Sequence, residues 1–140
     1  MSTLKVDTYL TRGGASEIAI DKLKGVTAAG SMLVVAEGGT VTTNLQQGLA
    51  KVWVFMTDNV ITDSLNTSSS TDEGTGHYTI TIANDMANVN FASGGNAHEN
   101  INSIVALAAK AAGSYRIKIK DDAGTIGDTN HGSIICGDLA

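Results

Sequence analysis

The sequence predicts an all-β protein: a small antiparallel, jelly-roll-like β-sandwich behind an N-terminal segment of short strands. Three observations predict it. Of 140 residues, 16 are glycine and none is proline, and Ser, Thr and Asn are abundant, a composition suited to strands joined by tight turns. Apolar residues come in short runs or alternate with polar ones, and no long stretch shows helical spacing. Charged residues make up 16%, well under the usual figure of about 25%. In so small a β protein, that shortfall points to surface buried between identical chains.

The length fits one domain with a short appendage. The formal charge of −5 argues against a nucleic-acid footprint, which needs a clustered basic face. No apolar run approaches the ~18 residues of a membrane span, and the start, MSTLKVDTYL, lacks a secretory layout. A single cysteine, Cys136, excludes an intramolecular disulfide framework.

Residues 1–43 read as an attachment and trimerisation segment. Leu4 to Tyr9 alternates, Glu17 to Ile20 alternates in part, and Ser31 to Ala36 is a short apolar run. Gly13-Gly14 and Gly38-Gly39 mark turns. With so few large apolar side chains this segment cannot close a core alone, so packing against copies of itself is expected. Residues 44–50 read as a helical connector. Asn44 or Thr43 can cap it, and Leu45 and Leu49, at i and i+4, form the expected trimer interface, since a helix this short needs a partner for its apolar face.

Residues 51–140 read as the sandwich. Val52 to Met56 is a continuous apolar run, the expected buried central strand holding the only tryptophan, Trp53. Val60-Ile61 follows a Thr-Asp-Asn turn. Ser68 to Gly76 reads as a polar loop. Tyr78, Ile80 and Ile82 alternate with polar residues and are expected in the core. Val89 and Phe91 begin a further strand. Ile101 to Ala111 fits helix and strand alike. Ile117 and Ile119 alternate with Arg116, Lys118 and Lys120 and are placed in the core. Asp121 to Gly124 reads as a turn, and Ser133 to Gly137 as the last strand.

Asn44-Leu45-Gln46-Gln47-Gly48-Leu49-Ala50-Lys51-Val52-Trp53, then Asp63-Ser64-Leu65-Asn66, Asp72 to Ile80 (Asp-Glu-Gly-Thr-Gly-His-Tyr-Thr-Ile) and Met86 to Phe91 (Met-Ala-Asn-Val-Asn-Phe) resemble the C-terminal module of small tail-fibre and appendage proteins of tailed, chiefly marine, bacteriophages. The opening Ser2 to Thr8 is similar to their N-terminal segment. Ile82 stands where those modules usually have an aromatic residue, and His77 precedes Tyr78, departures that touch packing and surface. The resemblance implies a virion protein, β-structured and homotrimeric, whose partners are itself, other tail or capsid proteins, and a host cell-surface glycan or protein. It implies no catalytic residues and no cofactor. A short tail fibre or host-contacting appendage is the expected role. A capsid decoration or head fibre is the alternative, and a polysaccharide-degrading tail enzyme the more remote one.

Side chains able to do chemistry are few. His77 is expected on the outer face of its strand, and His98 and His131 in solvated loops. The metal reading of these histidines is an ion on the three-fold axis, held by one histidine from each chain. Cys136 lies beside Ile134 and Ile135 and reads as a small hydrophobe. Asp121, Asp122 and Asp128 sit in a glycine-containing loop without the alternating ligands of a calcium loop, and read as a hairpin loop, with loose calcium binding as the alternative. Loops 66–76, 94–100 and 121–132, rich in Ser, Asn, Gly and Asp, are where recognition is expected.

Overall fold

The computed structural model describes residues 32–35, 39–57, 59–98 and 103–140. The expected strands at Leu4–Tyr9 and Glu17–Ile20 lie outside these residues. The described residues form antiparallel β-strands and the turns and loops between them, apart from one helical turn. A ribbon of β1 (Leu33–Val35) and β2 (Thr42–Asn44) leads into α1 (Leu45–Gly48). Asn44 caps that turn, its Oδ1 accepting from Gln47 N at 3.0 Å. The helix stops at Gly48, and Leu49 is already extended, at φ −91° and ψ 143°. Leu45 and Leu49 therefore do not share a helical face: one turn is too short to carry i and i+4.

Among the described residues the sandwich has eight strands in two sheets. They are β3 (Ala50–Thr57), β4 (Val60–Leu65), β5 (Thr67–Asp72), β6 (His77–Ile82), β7 (Ala92–Ala97), β8 (Ser103–Ala111), β9 (Ser114–Asp121) and β10 (His131–Cys136). One sheet has the order β4-β3-β10-β7 and the other β5-β6-β9-β8. Hairpins β3–β4, β5–β6 and β8–β9 stay within a sheet, and the first and last strands of the sandwich pair at the centre of one.

Val52, Val54 and Met56 of β3 and Ile135 of β10 face Tyr78, Ile80, Ile82, Tyr115, Ile117 and Ile119 of β6 and β9, with Met86 and Phe91 closing one end. Tyr115 Oη and Ser133 Oγ meet at 2.8 Å inside this core, so neither polar group is buried unpaired. Gly95 lets the sheets close beside β8, because a Cβ there would lie 2.7 Å from Val105 Cγ1.

Several sequence expectations are corrected. Trp53 is half-buried and outside the core. The run Val52 to Met56 still alternates, with Val52, Val54 and Met56 inward and Trp53 and Phe55 outward. Apolar side chains on both faces hid that period. The Ser- and Thr-rich stretch after Asn66 is a strand, β5, held on the sheet edge by β6. The ambiguous stretch before Ala111 is strand β8, and the strand expected from Val89 begins at Ala92. His131 is no loop residue: it opens β10 and is 1% exposed.

Candidate binding tip

The registers place the ends of the sandwich. β1, β2 and α1 enter at the end where β3 begins. β3 and β7 end, and the turns after β5 and β9 lie, at the other end, since His131 pairs with Met56 and Ala97, His77 with Lys118, and Asp121 with Ser103. Of the three loops expected to bind, the turn at residues 73–76 and the loop at residues 122–130 gather here. Residues 67–72 and 92–97 are strands instead.

Local chemistry sets each turn. Asn59 takes φ 65°, a left-handed conformation that asparagine tolerates. Gly74 N donates to Asp72 Oδ1 at 2.8 Å and His77 N to Gly74 O at 2.8 Å. Gly76, at φ 64°, sits where a Cβ would be 2.6 Å from Ile126 Cγ2, so only glycine lets the two turns close on each other. In the last loop Thr125 N donates to Asp121 Oδ1 at 2.7 Å. His98 N donates to Asn130 O at 2.6 Å and Thr129 Oγ1 to His98 O at 3.2 Å.

At the centre Tyr78 Oη donates to Asp128 Oδ1 at 2.6 Å and contacts the side-chain amide of Asn59. A phenol has one proton, and the carboxylate is the stronger acceptor. Gly76 N donates to the same carboxylate oxygen at 2.6 Å. These two donors hold the Asp128 carboxyl below its ordinary value, with the Tyr78 bond the larger cause. Burial, then the bond to Asp128 and its charge, pushes the Tyr78 phenol up. Beneath it the His131 ring stacks on Tyr78, centroids 5.1 Å apart. His131 Nδ1 lies 2.9 Å from Thr129 O, which fixes the proton on that nitrogen. Nε2 has no hydrogen-bond partner, and burial pulls the imidazole pKa down.

Above this cluster an open groove of about 220 Å³ is lined by Asn59, Asp128, Thr129 and Asn130. Amides, a hydroxyl and a carboxylate line it, a set that can exchange hydrogen bonds with a polyhydroxylated ligand. Among the described residues no three His, Cys, Asp or Glu side chains gather to hold a metal. Asp121 is spent on its own turn and Asp128 on Tyr78. The His131 ring is buried and faces the core.

Tyr78, Ile80, Ile82, Ile117 and Ile119 hold the core that supports this end. Leu45 is half-buried and Leu49 is 54% exposed at the opposite end. Sequence reasoning missed the Tyr78–Asp128–His131 arrangement. One signal was available: His131 and Ser133 share the inward parity of Ile135.

No family model, curated protein or solved structure matches the chain.

Proposed function

We propose that this chain is a structural protein of a tailed-bacteriophage virion, a short homotrimeric tail fibre or host-contacting appendage that binds rather than catalyses. The observation that carries this reading is polarity along the molecule. A narrow apolar ribbon enters at one end, and a polar, loop-built groove lies at the other, with a rigid sandwich between. Leu33, Val34 and Val35 of the ribbon, and Val41 just before β2, are 54%, 48%, 59% and 67% exposed. A two-stranded ribbon this apolar has no core of its own, so partner chains are the natural cover. The resemblance of the Asn44–Trp53 and Asp72–Ile80 motifs to phage appendage modules supports the same reading. Three tips on one fibre raise avidity without a strong single contact.

The test uses phage particles carrying altered copies. Deletion of residues 1–43 should remove the protein from virions. Bulky substitutions at Thr129 and Asn130 should leave incorporation and trimer mass intact and lower adsorption to host cells. If adsorption is unaffected while particles lacking the protein lose physical stability, the chain is a capsid decoration instead. A monomer at micromolar concentration refutes the trimer.

A further inference from the structure

His131 opens β10 and is almost wholly buried. Its Nδ1 lies 2.9 Å from Thr129 O, and its Nε2 is buried with no hydrogen-bond partner among the described residues. A neutral ring with its proton on Nδ1 tolerates this, because Nε2 is then only an acceptor kept dry. An imidazolium does not. Both of its nitrogens donate, and a buried charge without a partner is strongly disfavoured.

The elements packed around the ring offer it no countercharge. Its register partners are the apolar Met56 on β3 and Ala97 on β7. The His98 ring, just past β7, lies against Phe55 on the outer face of the sheet. On β6 the Tyr78 ring stacks on His131, but its hydroxyl donates to Asp128, and His77 is turned to Thr75 O. On β9 Arg116, Lys118 and Lys120 alternate with the buried Ile117 and Ile119 and point away. In the loop before β10, Asp121 accepts from Thr125 N, Asp122 is exposed, and Asp128 is engaged by Tyr78 and Gly76 N.

The residues leading into His131 are tied down lightly. Asp128 is held through those two donors, Thr129 Oγ1 by its bond to His98 O, and Asn130 O by His98 N. All of these ties lie at the end of the sandwich, where local opening is cheapest. Asp128, Thr129 and Asn130 are also walls of the tip groove.

We infer that His131 is an acid-operated latch: its protonation drives the ring out from under Tyr78, frees residues 128–131 and reshapes the groove, while both sheets stay assembled. The latch is a property of the tip and does not depend on the phage reading. Linkage gives the sign. Burial lowers the pKa of the closed ring from its ordinary 6.5, and a ring swung into water regains that value. The opened form therefore takes up the proton first as pH falls. At pH 7.5 an opened ring is mostly neutral and at pH 5.5 mostly charged, so the opened fraction grows by up to about tenfold between them.

The test is amide hydrogen exchange on the full chain at pH 7.5 and 5.5, each rate divided by that of an unstructured amide at the same pH. The His98 amide, bonded to Asn130 O, and the Gly76 amide, bonded to Asp128, should lose protection by up to about tenfold on acidification. Amides of Ile80 and Ile117, on the central strands β6 and β9, should stay better protected than these at both pH values. His131→Phe keeps a ring to stack on Tyr78 and cannot be protonated, so it should abolish the pH response of the tip. His77→Gln and His98→Gln should keep it. Wild-type NMR covers the case in which His131→Phe misfolds: the His131 ring signals should titrate below 6.5, and the Tyr78 ring signals should move with the same midpoint. Tip protection unchanged between the two pH values overturns the latch. So does a single protection factor shared by tip and central amides, which would mean that opening is global. So does a response lost in His77→Gln or His98→Gln and kept in His131→Phe, or Tyr78 signals that ignore the His131 titration.

Discussion

Replacing Tyr78 with phenylalanine removes one oxygen from the tip and little else. The ring stays, with its stacking on His131 and its packing between the sheets. What is lost is the 2.6 Å bond to Asp128 and the contact with Asn59. A hydrogen bond to a charged acceptor is worth about 1.5–3 kcal/mol. Asp128 is exposed, so water recovers part of that, and the expected loss is about 1–2 kcal/mol. With a urea slope of ~2 kcal/mol/M, the midpoint falls by roughly 0.5–1 M at unchanged slope. The assay is urea unfolding followed by Trp53 emission, at one protein concentration because association adds to stability.

The same substitution has a pH signature. Asp128 is held below its ordinary value of 3.8 in the folded chain. Its contribution is therefore present above about pH 4 and lost as pH falls through the lower folded value. Tyr78 is raised above 10.0, so its contribution is present below pH 10 and lost as pH rises beyond it. Tyr78→Phe should flatten the acid limb, because the larger cause of the Asp128 shift is gone and the Gly76 amide remains. It should also shrink the alkaline limb, with Tyr115, likewise raised by burial, leaving a remnant. A variant with wild-type midpoint and both limbs intact would refute the bond between Tyr78 and Asp128.

His131, lowered from 6.5 by burial, favours unfolding as pH drops below 6.5, since the unfolded ring takes up the proton first; His131→Phe should remove that slope between pH 7.5 and 5 in the same urea assay. Gly76→Ala should cost more than about 2 kcal/mol, from positive φ and the collision with Ile126 and the Ile119 carbonyl. Gly124→Ala, at φ 84° with nothing within 4 Å, should cost only about 1 kcal/mol, and equal losses in thermal melts would argue against the close approach. Ile117→Ala should cost about 2–5 kcal/mol, whereas Trp53→Ala, outside the core, should cost less, a difference that urea melts followed by circular dichroism will show.

Much of the fold is written in local pattern. The alternation of Tyr78, Ile80 and Ile82, and of Ile117 and Ile119, is a period-two signal with one apolar face, and such a strand can lie only one way on a core. Asn44 as a cap and the Gly74–Gly76 turn are equally local, because each depends on residues within four positions. The Ser- and Thr-rich β5 is silent in sequence: an edge strand buries little, and the β6 backbone selects it through hydrogen bonds that any side chain permits. The Val52–Met56 run names a strand but not its faces, because which of two apolar faces meets the second sheet is decided by what packs there. Tyr78 and Asp128 stand 50 residues apart, and no spacing rule joins them. The registers of β6 with β9 and of β10 with β3 bring the two turns to one end, where Gly76 leaves room for them to close. The sequence alone determined the strands with a single apolar face, and the inward residues of those strands; only the tertiary structure decided the edge strand β5, the inward face of β3, which sheet keeps an apolar outer face and which distant polar groups meet at the tip, because all of these depend on how whole sheets pack rather than on neighbours in the chain.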